Sequence, residues 1–242
     1  MPNPQEVRLH FRGSVLYMLG WLIIGFFAGL VRVALPWAYQ AFLRRGCDET
    51  DASDGTRFVF RGNPEKIAGW YFAAMVVAII AFAAGFGRNE ITATRVMLGF
   101  AEVVLGVLIG WMTVKWVIEG FELSTGETFT FTGSIWSYLG RTILVGLSFI
   151  TIIGWAWAVV LLYQWIVSQA INNRVAIQFR ATGLEFLWRT IVFVLGSCLI
   201  VTIPFLMLWQ FRWIVSNIVL LRASVPQPQT SPTGPTEFAP IG

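Results

Sequence analysis

The sequence predicts a membrane all-α protein: a polytopic helical bundle of tandem strand–helix–break–helix repeats, with a small cytoplasmic β-layer built from Phe-x-Phe-x-Gly motifs. Three observations carry that expectation. The 242-residue chain is 56% hydrophobic and only 12% charged, with a mean hydropathy of +0.68, which sets it apart from soluble domains. Apolar runs long enough for transmembrane helices recur along nearly its whole length. One short motif also recurs ahead of these runs: an alternating stretch, a glycine, then an apolar helix.

The motif is clearest as Arg57-Phe-Val-Phe-Arg-Gly62 with Gly69-Trp70 beyond it, and Arg8-Leu-His-Phe-Arg-Gly13 with Gly20-Trp21 repeats it. Phe129-Thr-Phe-Thr-Gly133 with Gly140 is a third copy, and Ile177-Gln-Phe179 a worn fourth. Such alternation ending in glycine suits a short strand and a tight turn. The later part of the chain coincides with itself at a 48-residue offset, as in Phe131/Phe179, Arg141/Arg189 and Trp165/Trp213. A duplicated unit leaves that mark. The repeats run about 8–56, 57–126, 127–174 and 175–222.

Taken in order, Val15 to Val31 reads as a helix, Pro36-Trp37 as a break, and residues 47–55 as an acidic turn. Asn63-Pro64-Glu65 reads as a helix start, with asparagine as cap and proline at the first position. That helix runs to about Phe86, a polar turn comes next at 87–94, and a long helix occupies roughly 95–119. Gly154 and Thr202-Ile-Pro204 mark breaks in the last two repeats. In the third repeat the two legs have about 20 and 19 residues, or roughly 30 Å each, a hairpin that crosses the bilayer and returns. One long kinked helix per repeat is the rival reading, so the expected span count is five to eight. Hairpins gather Arg8, Arg12, Arg44, Arg45, Arg57 and Arg61 on one face, which the positive-inside rule makes cytoplasmic. Residues 223–242, with five prolines and no apolar face, read as a disordered tail on that same side.

Phe11-Arg-Gly13, Leu35-Pro-Trp-Ala38, Arg44-Arg45 and Asp54-Gly-Thr-Arg-Phe-Val-Phe-Arg-Gly62 together resemble the YjgN-type family, bacterial inner-membrane proteins built around a domain of unknown function. The resemblance covers residues 8 to about 222. Tyr39-Gln40 departs from it, standing where members tend to carry basic residues. It implies a bacterial cytoplasmic (inner) membrane and transfers no reaction or catalytic residue.

Little in the chain points to catalysis. No phosphate-binding glycine loop, HExxH or nucleophile elbow is present, so no enzyme activity is expected. His10 is the sole histidine, and Cys47 and Cys198 lie far apart, so neither a cofactor nor a metal is expected. Asp48, Glu49, Asp51 and Asp54 lack the spacing of a calcium loop and read as a solvated turn. Basic residues beside apolar runs are topology signals first, so nucleic acid is not an expected partner. The expected partners are the lipid bilayer and a membrane protein or second copy of the chain.

Three sets of residues carry the expected function. Phe11, Arg12, Gly13, Phe60, Arg61, Gly62, Phe131 and Gly133 shape the strand-to-helix corners, where glycine permits close approach. Gly25, Gly29, Gly106 and Gly110 form two GxxxG faces for helix packing. Glu102, Arg141 and Arg189 are intramembrane charges, with Glu102 expected to pair with Arg141 from the opposite face. The expectation is a non-enzymatic structural or accessory subunit acting through helix packing and cytoplasmic contacts. The alternative is a small repeat-built permease or channel with Glu102 in an ion or proton path.

Overall fold

In a computed structural model, which describes residues 5–85, 93–151, 153–172 and 175–222, the order strand–helix–helix–strand occurs four times. The first set is β1 (Gln5–Phe11), α1 (Val15–Leu30), α2 (Leu35–Asp48) and β2 (Thr50–Ala52). The second is β3 (Phe58–Phe60), α3 (Glu65–Gly85), α4 (Ala93–Gly120) and β4 (Phe121–Leu123). The third is β5 (Thr130–Phe131), α5 (Ile135–Ser148), α6 (Gly154–Ser168) and β6 (Ala170–Ile171). The fourth is β7 (Val175–Phe179), α7 (Gly183–Gly196), α8 (Ile203–Ser216) and β8 (Ile218–Arg222). The polar turn expected at 87–94 lies largely outside the described residues, and the 223–242 tail entirely so.

This arrangement corrects the expected fold class. The molecule is not a polytopic all-α bundle: among the described residues only α3 and α4 are long and apolar enough to cross a membrane. The strands form a six-stranded antiparallel sheet, β2-β1-β8-β7-β6-β5, and a two-stranded one, β3-β4. The physical reason lies at the far end of each second helix. Ile218-Val-Leu-Leu221 continues the apolar run of α8, and hydropathy alone does not separate an apolar strand from more helix. Once strands take both ends of a repeat, the remaining legs are short. Helices α1, α2, α5, α6, α7 and α8 have 14 to 16 residues, about 21–24 Å against a hydrocarbon core of roughly 30 Å. Pro36 does not break its helix but begins it, in the first turn of α2, where a missing N–H costs nothing.

Each set closes on itself at the strand-to-helix corner. The strand ends in a buried phenylalanine, and the next residue's N–H is donated to a carbonyl at the end of the second helix. The four bonds are Arg12 to Glu49 (2.8 Å), Arg61 to Gly120 (2.8 Å), Thr132 to Gln169 (3.1 Å) and Arg180 to Asn217 (3.0 Å). A small residue and a helix cap come next: Gly13-Ser14, Gly62-Asn63, Gly133-Ser134 and Ala181-Thr182. Each cap side chain accepts from a backbone N–H of the first turn, and Thr182 with Glu185 forms a complete capping box. The glycines are required by packing. A Cβ on Gly62 would lie 2.6 Å from the Phe60 ring, and one on Gly133 2.5 Å from Phe131.

The sets are then tied to one another by the corner carbonyls. Gly62 O accepts from Gln40 Nε2 (2.8 Å), Gly133 O from Trp111 Nε1 (3.0 Å), and Ala181 O from Gln164 Nε2 (3.2 Å). Gly13 O accepts from Arg212 Nη2 (3.0 Å), so the last second helix returns to the first corner. Helix contacts run through the same cycle, α2 with α3, α4 with α5, α6 with α7 and α8 with α1. The strand order echoes it: β8 pairs with β1 through Val7↔Leu220, and β6 with β7 through Ile171↔Ala176. The layer divides between β2 and β3 and again between β4 and β5, where an isolated bridge joins Glu122 and Thr128. At the first divide the Arg222 guanidinium of β8 holds the loop between β2 and β3, 2.8 Å from Asp54 and 3.0 Å from the Thr56 hydroxyl. The main buried cluster, including Val7, Leu9, Phe11, Leu123, Val175 and Leu220, lies in this strand layer.

The corners and the first divide each generate a prediction. The Phe60 ring is wedged against Trp116 and Phe121, at 5.1 and 5.3 Å between centroids, and cannot yield to a new methyl group. Gly62→Ala is expected to lower stability by about 1–3 kcal/mol, whereas Ala181→Gly leaves it within about 1 kcal/mol. Equal melting temperatures in detergent for the two variants would show that the corner makes no such demand. At Asp54, burial alone would raise the carboxyl pKa, but the Thr56 hydroxyl and N–H with Arg222 outweigh it and hold it below the ordinary value. Its contribution is therefore present above the unfolded value of about 4 and lost as pH falls through the lower folded value. Asp54→Asn is expected to flatten that acid limb in melts taken between about pH 5 and 2.

Candidate functional site

Beneath the strand layer the ends of the four second helices converge on a partly open cavity of about 270 Å³. Leu43 and Cys47 enter it from α2, Ile118 from α4, Ile166 from α6, and Phe211 and Val215 from α8. Leu9, Phe58, Phe121, Ile177 and Leu220 bound it from the strands. Its two polar lining groups are both accounted for. The Thr50 hydroxyl donates to Gly46 O at 2.7 Å, and burial pushes the Cys47 thiol up to about 12, leaving it neutral.

A second cavity, of about 240 Å³, lies farther from the strands, between the 32–34 turn, α3 and α4. Arg32, Tyr71 and Glu102 line it together with Gly29 and Gly106. The structure thus brings Glu102 together with Arg32, and no ion pair joins it to Arg141. The expected pairing requires both hairpins to cross the full bilayer. In fact the turn that ends the first hairpin packs on α3 and shares a cavity with Glu102, nine residues and about 14 Å from the start of α4.

The two repeat arginines turn instead to tryptophan. Arg141 stands 4.4 Å from the Trp165 ring centroid and donates through Nη1 to Ser137 O at 3.1 Å. Arg189 lies among three rings, 4.3 Å from Trp209 and 5.0 Å from both Trp188 and Trp213. Its Nε and Nη1 are buried without a hydrogen-bond partner, so the indole faces are what hold the cation. Trp165 and Trp213 keep the 48-residue offset of the arginines above them; Trp188 and Trp209 belong to the fourth set alone.

At the glycine faces, a Cβ on Gly25, Gly29 or Gly106 would meet nothing within 4 Å, while one on Gly110 would lie 2.7 Å from the Tyr138 hydroxyl. Of the two GxxxG faces, then, only Gly110 admits a close neighbour within the chain. Arg12 pairs with Asp51, and Arg61 with Glu122 at 2.9 Å, so both motif arginines brace the rim of the strand layer. Among the described residues no cluster of His, Cys, Asp and Glu could hold a metal ion.

The outer surfaces complete the site. Many large apolar residues are exposed on the helices, including Ile79, Phe82, Met97 and Phe100, and few residues of the α3 and α4 spans are buried. Neither helix is thus buried by the rest of the chain as a core helix would be. The hairpin tips are apolar as well: Ile150 is 79% exposed, and Ile200 and Val201 each 80%. Their backbone groups are satisfied locally. Thr151 donates to Ser148 O and accepts from Gly154 N–H, Ser197 donates to Phe193 O, and Thr202 donates to Leu199 O. Hydrocarbon demands that pattern, because it offers a backbone group no other partner.

The cage around Arg189 generates a prediction. Trp209→Leu removes the nearest ring and is expected to lower stability by about 1–2 kcal/mol. Adding Arg189→Met recovers most of the loss, since no cation is then left exposed to apolar surroundings. A double variant no more stable than Trp209→Leu alone would show that the rings act by packing and not through the charge.

Comparison of the chain with protein-family models, with curated proteins and with solved structures found no match.

Proposed function

We propose that this chain is a non-enzymatic structural or accessory protein of the bacterial cytoplasmic membrane. One hairpin, α3–α4, spans the bilayer; the three short hairpins enter from the strand side and end inside the hydrocarbon. The observation that carries the reading is an inverted polarity. Helix faces and hairpin tips are apolar and exposed, while the buried core lies in the strand layer. A soluble protein of this kind would expose far more apolar surface than monomers carry. Exposed Arg8, Arg12, Arg44, Arg57, Arg61 and Arg180 gather about the strand layer, which supports a cytoplasmic face for it. The charged rim of the layer and the outward helix faces are the contact surfaces for a membrane-protein partner or a second copy. The resemblance to the YjgN-type family agrees with this membrane.

A permease is the second reading, favoured by the cavity that Glu102 shares with Arg32. Against it, the cavity at the centre of the ring offers a polar solute no group to bind. Two measurements test the proposal. With Cys47 and Cys198 replaced by alanine, an impermeant maleimide applied to spheroplasts is expected to label Thr94→Cys, and to reach Thr125→Cys only after permeabilisation. Ile150→Cys and Val201→Cys are expected to be labelled from neither side. Labelling of Ile150→Cys from outside would replace the re-entrant hairpins with crossing ones. Purification from native membranes in mild detergent is expected to bring a stoichiometric partner. Proton flux in proteoliposomes that Glu102→Gln abolishes would transfer the assignment to the permease.

A further inference from the structure

All four strand–helix–helix–strand sets contribute to the central cavity, and its chemistry narrows what it can take. We propose that it is a binding site for a hydrocarbon chain, filled in the membrane by an acyl chain. This rests on the membrane reading above only for the source of the chain; the chemistry of the cavity stands by itself.

Three observations on the cavity support the assignment. Its lining is apolar, and the Thr50 hydroxyl and the Cys47 thiol leave no free polar group inside. A headgroup, a peptide or a solute with hydrogen-bonding groups would lose its water there and find no partner. Its volume, about 270 Å³, exceeds the roughly 150 Å³ at which an engineered apolar cavity stays dry and takes up benzene. Protein interiors are otherwise packed to the density of organic crystals, so a gap of this size at the meeting point of four helices is a built feature. Finally, the cavity is partly open, and the helices around it carry apolar exposed faces, so on the membrane reading a source of acyl chains lies next to it.

The ring explains how such a space survives. Each second helix is held outward by its bond to the corner of the next set, through Gln40, Trp111, Gln164 and Arg212. The second helices are not closely packed on one another; where two of them touch, as Phe42 of α2 and Phe211 of α8 do at 5.5 Å between ring centroids, the rings form part of the cavity wall.

The test uses the full chain reconstituted in liposomes of phosphatidylethanolamine and phosphatidylglycerol, one arm doped with a phospholipid bearing a terminal diazirine on one acyl chain, the other with free palmitate bearing the same group. After illumination, adducts are mapped by peptide mass spectrometry. Adducts are expected on the cavity-lining segments around Leu43–Cys47 and 214–220, and separately on lipid-facing Phe82 and Phe100. Ala170→Phe, which fills the cavity from β6, is expected to reduce the cavity adducts at least tenfold while leaving the lipid-facing ones unchanged; Val215→Phe, from α8, serves where the first variant does not fold. Adducts in the phospholipid arm alone identify a lipid chain, and adducts in the palmitate arm alone a free fatty acid; either supports the site. Lipid-facing adducts without cavity adducts in either arm overturn it. Loss of the lipid-facing adducts themselves would instead overturn the membrane reading, so the two failures are distinguishable.

Discussion

The constraint on which the rest of the structure depends is the fate of four backbone carbonyls, those of Gly13, Gly62, Gly133 and Ala181. Each belongs to a buried residue just ahead of a helix cap, where the turn from strand to helix offers no backbone donor. Leaving such a group without a partner costs about 1–3 kcal/mol. In every case the donor is a side chain on the second helix of the preceding set. No set can satisfy its own corner, so each is complete only in the company of its neighbour. Because Arg212 returns to Gly13, the series closes after four.

Closure of this kind fixes positions but not identities. The donors are two glutamines, a tryptophan and an arginine, and all that they share is reach. Gln164 and Arg212 keep the 48-residue offset, whereas Trp111 works one helical turn earlier than the corresponding Lys115. Lys115 instead rests its ammonium 5.7 Å from the Trp111 ring centroid and lies within 3.9 Å of Glu119. The same latitude governs the corners: three need glycine because a phenylalanine ring folds back over it, and the fourth accepts Ala181. There the Phe179 ring lies 6.4 Å from Trp213, close to the 6.2 Å between Phe131 and Trp165 at a glycine corner, so the Phe–Trp spacing by itself does not decide where a methyl group is accepted.

Much of this order is legible in the sequence, and the failures have definite causes. The motif, its glycines and the helix start at Asn63 can be read directly, because alternation, small residues and caps are local signals. The helix breaks can also be read: short turns at 32–34, 149–151 and 200–202 separate the paired helices of three sets. The closing strands β2, β4, β6 and β8 cannot, since two to five residues leave no period to detect and β8 is as apolar as the helix before it. Without those strands every leg reads too long, and short hairpins read as crossing ones. Legs of that length set Glu102 opposite Arg141, whereas the true ones set it beside Arg32. Arg32 is plain in the sequence, but nothing local to it says that the turn carrying it stops at the level of Glu102. The central cavity has no sequence signal at all, because its lining comes from eight segments that only the ring brings together.

The unequal hairpins arise from the same requirement that shapes the corners. A polypeptide turn inside hydrocarbon must satisfy its own backbone and show an apolar surface, and the second condition is met at the tips by Phe149, Ile150, Leu199, Ile200 and Val201. The first is met by hydroxyls one turn away: Ser148, Thr151, Ser197 and Thr202 each donate to a nearby carbonyl. In the proposed membrane placement a tip that meets both conditions gains nothing by extending to the far interface, and a hairpin of about 21–24 Å is long enough. The first hairpin meets the conditions differently. Its turn carries Arg32, which lines one cavity with Glu102 of α4. In the proposed placement an arginine inside the hydrocarbon is costly, and an acidic residue on the same cavity wall lowers that cost. The long and short hairpins are therefore interdependent, the long one carrying in Glu102 the only acidic group on the described α3 and α4 beyond their first and last turns, the others completing the ring in which it is held.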